Sequence, residues 1–200
     1  MADHSTRGLL PAPGSYELQH IMRAGDGSVL DTEGISHKLT EFTGAKVTLL
    51  SFIYSTCADP QGCPYVYAVF HGLRERLARE PKARNRVRLV SLSFDPMRDT
   101  PEMLRLYAGE HSSPDHPVEW CFLTTAGPRD LVPILDDFGQ DVFLEVDPVT
   151  KAHLGTYSHV VKVFLIDARH WVREIYTTTY LNPDMVYNDV ITLLMEDGWR

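Results

Sequence analysis

The chain has 200 residues, 44% of them apolar and 23% charged, which suits one soluble domain with a sizeable core. Its formal net charge of −8 argues against nucleic acid or an anionic membrane surface as partner, and leaves a cation or a basic protein face open. No apolar run reaches the roughly 20 residues needed to span a bilayer.

Residues 1–15 mix Pro, Gly, Ser and His without periodicity and read as a mobile leader to a single domain over 16–200. The opening also lacks the charged-then-apolar plan of a signal peptide. If Met1 were removed, Ala2-Asp3-His4 would offer square-planar donors for Cu(II) or Ni(II), a pattern that flexible tails also produce by chance. Short alternating pieces around GDG, between Tyr16 and Lys38, suggest a hairpin. VTLLSFIY, residues 47–54, is a continuous apolar run and predicts a strand covered on both faces. Pro64 then opens a helix whose apolar positions are Val66, Val69, Phe70, Leu73 and Leu77.

RVRLVSLSF, residues 86–94, predicts a second buried strand. In SFDPMRDTPEMLRLYAGEH, Asp99 or Thr100 caps a helix that begins at Pro101, with Glu102 in capping-box position. VEWCFLT is a third strand, residues 128–138 a third helix, and the stretch after it reads as loose. HVVKVFLID predicts a fourth strand, opened by His159, and WVREIYTT pairs with it as a hairpin. A last helix runs from Asn182-Pro183 to Met195. Alternating strands and helices imply an α/β fold: a central mixed sheet flanked by helices, with an amino-terminal β-hairpin extension. A paired-Cys loop between the first central strand and its helix makes the arrangement thioredoxin-like.

Three cysteines are too few for a disulfide scaffold. Cys121 sits in an apolar strand and reads as a small buried hydrophobe. Cys57 and Cys63 flank Ala-Asp-Pro-Gln-Gly, a turn-forming loop that would let two sulfurs meet. A structural disulfide, a redox dithiol and two thirds of a metal site all remain open at this point. Positive charge at the helix start is expected to favour the Cys63 thiolate. Two Cys and an imidazole suit Cu(I), and serve Zn(II). His159 is the imidazole expected nearest the Cys loop. His20, His37, His71, His111, His116, His153 and His170 read as surface or loop residues. Asp95 and Asp99, at the carboxyl end of the second strand, read as supporting residues beside the Cys loop, with Arg98 as an ionic partner.

STCADPQGCP before a helix, SFDPMRDTPEMLRLYA, and HVVKVFLID together resemble the Sco/SenC copper proteins, over roughly residues 15–196. The resemblance implies a copper site, Cu(I) or Cu(II), formed by Cys57, Cys63 and His159, with Asp95 and Asp99 at the family's acidic positions. It implies a metallochaperone serving the CuA centre of cytochrome c oxidase, by delivering copper or by reducing the recipient's cysteines as a thiol–disulfide oxidoreductase. It further implies a periplasmic or otherwise extracytoplasmic setting. The family pattern is C-x-x-x-C-P, whereas five residues separate Cys57 from Cys63 here.

Overall fold

The computed structural model describes residues 10–196 and 198. The candidate Cu(II) triplet at Ala2–His4 lies outside them. Six strands form the central sheet, in the order β1 (Met22–Arg23), β10 (Trp171–Thr177), β9 (Lys162–Ile166), β4 (Val47–Ile53), β5 (Val87–Ser93) and β6 (Glu119–Leu123). β4, β5 and β6 run parallel, and β9, β10 and β1 join antiparallel, so the sheet is mixed as expected. Every residue of β4 is buried, because helices cover both of its faces.

On one face, α2 (Cys63–Ala78), α3 (Pro101–Ala108) and α5 (Pro183–Glu196) bury Val66, Phe70, Leu73, Leu104, Val190 and Leu193 against Leu49, Leu89 and Leu165. On the other, α4 (Pro128–Asp137) and the hairpin of β2 (Ser28–Leu30) and β3 (Ser36–Lys38) cover Leu50, Val90, Leu92 and Phe164. Pro101 and Pro128 each stand at a helix start, where the missing N–H costs nothing. Thr100, not Asp99, caps α3: its side chain accepts from the Met103 amide at 3.3 Å. A short helix, α1 (Thr40–Thr43), precedes β4.

The amino-terminal hairpin exists, but its position is corrected. β2 (Ser28–Leu30) pairs with β3 (Ser36–Lys38) around a turn at Asp31–Ile35, whose Oδ1 accepts from Glu33 and Ile35 amides. The GDG segment instead links β1 in the central sheet to β2. A second hairpin, β7 (Val142–Val146) with β8 (His153–His159), occupies the stretch that reads as loose. Its turn is built on Asp147, whose Oδ1 accepts from Val149 and Thr150, with Lys151 at φ 59°. His159 therefore ends β8 rather than opening the next strand, and Val160 and Val161 separate it from β9.

Candidate metal centre

β4, β5 and the β8 end meet at one edge of the sheet, beyond the carboxyl ends of the parallel strands, where open sheets of this kind carry their sites. β4 delivers Tyr54, Ser55, Thr56 and Cys57 in succession. The Cys57 amide donates back to the Tyr54 carbonyl at 3.2 Å, turning the chain out of the sheet. Asp59 then builds the return: its Oδ1 accepts from the Gln61 amide at 3.0 Å and its carbonyl from the Gly62 amide at 2.9 Å. Gly62 caps α2, and Cys63 and Pro64 begin it. A Cβ on Gly62 would stand 3.0 Å from Cys57 Sγ, so the absent side chain is what lets that sulfur fold back over the helix start.

Both cysteines are free thiols, and they pack into one cluster, close enough for Cys57 to perturb Cys63. Cys63 is 2% exposed, whereas Cys57 is half-buried. Burial first, and the neighbouring Cys57 second, push the Cys63 thiol up from 9.0 to about 12. This corrects the expectation of a favoured Cys63 thiolate. A helix start offers an anion roughly 0.3–1 kcal/mol, less than the 1.36 kcal/mol of a single pKa unit, so burial prevails. Cys121, in β6, is likewise pushed to about 11 by burial and keeps its packing role.

His159 arrives from the other side. Its ring packs edge-on against Phe94, with centroids 4.8 Å apart, and against Tyr54 at 6.1 Å. Burial lowers its pKa, which holds the imidazole in the neutral form that can ligate. Its Nδ1 is buried and has no hydrogen-bond partner among the described residues, a cost of about 1–3 kcal/mol unless something fills it. Tyr54 stands between the two halves: burial and the neighbouring Cys57 and Cys63 push its hydroxyl up to about 12, and its ring touches that of His159. Among the described residues, no three His, Cys, Asp or Glu side chains converge closely enough to hold an ion. The three expected ligands are thus gathered around one tyrosine rather than around one point. Their donor chemistry, two sulfurs and a partnerless imidazole nitrogen, fits a soft cation.

The Asp95–Thr100 turn braces both halves. Asp99 is fully buried and accepts from the Ser55 amide at 3.0 Å, the Ser55 hydroxyl, and the Ser93 hydroxyl at 2.6 Å. The Asp95 carboxylate lies near enough to perturb the hydroxyl of Tyr157, two residues before His159 on β8. Burial and that carboxylate push Tyr157 up to about 12. Arg98 Nε lies 4.0 Å from Asp95 Oδ2 and its NH1 donates to Thr56 at 3.1 Å, a half-exposed pair of modest weight. No sequence pattern marks Tyr54, Ser55 or Tyr157 as site residues. The one local signal is at Tyr54, which stands three residues before Cys57 at the end of a buried strand.

A family profile for SCO1/SenC matches residues 23–195. No curated protein matches the sequence. Among solved structures, the fold resembles Arabidopsis thaliana ScoI with copper bound (18% identity, 86% of this chain and 98% of that one, TM-score 0.70). It also resembles BsSco, a member of the Sco family of cytochrome c oxidase assembly proteins in which a disulfide switch is identified (22% identity, 90% and 98%, TM-score 0.65). A third is a SCO1/SenC family lipoprotein from Bacillus anthracis (23% identity, 94% and 98%, TM-score 0.64). The architecture these structures share with it is thioredoxin-like, and, by the profile that spans most of its length, the chain belongs to the SCO1/SenC family.

Proposed function

We propose that this protein is a copper-binding assembly protein, which takes one copper ion on Cys57, Cys63 and His159 and hands it to a CuA-type centre of cytochrome c oxidase. The observation that carries the reading is local. Two neighbouring thiols and a buried imidazole nitrogen without a partner are gathered around the same Tyr54 ring. Thiolate and imidazole together favour Cu(I) over harder ions. Copper is the cargo, and its uptake releases the thiol protons as the sulfurs become ligands. Closing the site needs a shift of the β8 end toward the Cys loop. Cys57, the more exposed ligand, is the one an incoming ligand reaches first. The family match and the copper-bound relative support the reading, and the lipoprotein relative supports an extracytoplasmic setting. No helix among the described residues is long and apolar enough to cross a membrane.

Anaerobic Cu(I) titration against a competing chelator tests the proposal. One Cu(I) per reduced chain is expected, with binding weakened by orders of magnitude in Cys57→Ala and in His159→Ala. Full affinity in His159→Ala would remove the imidazole from the centre.

The adjacency of an accessible and a buried thiol favours a second activity at the same place, reduction of the recipient's cysteines. Cys57 as thiolate attacks one sulfur of the recipient's disulfide and displaces the other as a thiolate. Cys63 then attacks Cys57 in the mixed disulfide, releasing the recipient's dithiol and leaving Cys57–Cys63 oxidised. That activity requires both cysteines and spares His159→Ala, which separates it from copper transfer.

A further inference from the structure

Six of the fourteen large apolar side chains exposed among the described residues fall between positions 143 and 160: Phe143, Leu144, Val146, Val149, Leu154 and Val160. This segment is about a tenth of the chain, so the concentration is far above an even spread. Soluble domains rarely gather apolar surface in this way unless something covers it. The strand register says where it faces. Val142 lies opposite His159 and Leu144 opposite Tyr157, which makes one face of the β7–β8 hairpin the face toward the metal centre. Phe143, 66% exposed, lies opposite Ser158 on the outer face, and Val149, 86% exposed, marks the tip. The apolar surface therefore begins at the arm that carries His159 and extends outward from it.

Its rim is acidic. Asp141 and Glu145 are exposed beside and on the hairpin and Asp147 sits in its turn, against two exposed bases there among the described residues, Lys151 in the turn and Arg98, whose guanidinium lies beside Gly155 of β8. Asp59 of the Cys loop adds a further carboxylate close enough to be felt by His159.

We propose that the β7–β8 hairpin is the docking surface for the protein that receives the copper, and that the recipient's matching face is apolar and ringed by Lys and Arg. The proposal rests on the function read above. Charge selects the occupant. A second copy of this chain would bring the same acids and its own net charge of −8 to the contact, and an anionic lipid surface is repelled by the same rim. A recipient, moreover, has to bring its own ligands up to the ion, and His159 is the last residue of the docked hairpin.

The test uses the full reduced chain without copper, and as probe the reduced, copper-free CuA domain of a cytochrome c oxidase subunit, with binding followed by calorimetry. Wild type is expected to bind, and F143S together with L154S to raise Kd at least tenfold while leaving Cu(I) affinity within twofold. Raising salt from about 0.05 to 0.5 M weakens the wild-type complex. D141K with E145K weakens it at low salt and flattens the salt dependence. Three results overturn the proposal: no binding by wild type, an unchanged Kd in F143S/L154S, or a wild-type dimer or vesicle-bound form that this variant alone abolishes. Because the complex is read without copper, a failed Cu(I) titration would sink the assigned cargo and leave the docking measurement standing, and the reverse holds equally.

Discussion

Asp99 holds Ser55 by both of its donors: the Ser55 amide and hydroxyl each donate to the buried carboxylate, which also accepts from Ser93. The residue that starts the Cys loop is thus fixed by a charge 44 positions away in sequence. Asp99→Ala would leave these donors buried and unpaired. A loss of about 2–4 kcal/mol in urea unfolding is expected, together with weaker Cu(I) binding. Asp99→Asn, which keeps one acceptor oxygen, should fall between. Wild-type stability in Asp99→Ala would show that the carboxylate is not needed to hold the loop.

Gly62→Ala tests how closely the Cys57 sulfur must approach the helix start. The added methyl meets Sγ at 3.0 Å and must displace it. The methyl also stands 3.3 Å from the Asp59 carbonyl at the buried cap of α2, so the unfolding midpoint should fall by a few degrees at most, the strain being local to the loop. Cu(I) affinity and the rate of Cys57–Cys63 disulfide formation should each fall about tenfold, the cost of roughly 1.4 kcal/mol of misplacement. Stopped-flow thiol oxidation and chelator competition read the two quantities separately.

Cu(I) binding should strengthen with rising pH. The Cys63 thiol, pushed to about 12, is protonated throughout the neutral range and must lose that proton to ligate. Its contribution alone is about tenfold in apparent affinity per pH unit. Titrations at three pH values between 6 and 8 measure the slope. A flat profile would mean that Cys63 is not a ligand.

A second pH effect lies away from the centre. His37 on β3 reaches Asp31 at 3.1 Å and Glu41 at 3.2 Å, tying the β2–β3 hairpin to α1. Its pKa is raised above 6.5, with the Glu41 hydrogen bond as the largest cause. A raised folded-state value means that the clip contributes fully below pH 6.5 and is lost as pH climbs through the folded value. Asp31 and Glu41 are lowered, chiefly by hydrogen bonds that outweigh desolvation, so their share disappears in acid. The thermal midpoint of wild type should therefore exceed that of His37→Asn most near pH 6, and the gap should close in alkaline buffer. A gap that widens above pH 8 would contradict the charged pairing.

Much of this molecule can be read from local pattern. The buried runs at 47–54 and 86–94 became β4 and β5 because continuous apolar stretches have few other places to go. Pro64, Pro101 and Pro183 marked helix starts by the chemistry of their missing amide. The β7–β8 hairpin leaves no local pattern, because its strands expose apolar residues on both faces, which erases the alternation that reveals a half-buried strand. For the Cys63 thiol, the helix start is visible in sequence and the depth of burial that raises its pKa is not. The brace from Asp99 to Ser55 and the approach of Asp95 to Tyr157 join segments distant in the chain, so no local pattern announces them.

The unequal depth of the two sulfurs carries a consequence for survival under peroxide. Only the outer one meets solvent, so a sulfenic acid would form at Cys57, within reach of the sealed thiol beneath it. Condensation with that neighbour expels water and yields a disulfide, which ordinary reductants reverse, before sulfinic damage sets in. The depth that makes Cys63 a reluctant acid thereby gives the pair a recoverable resting form.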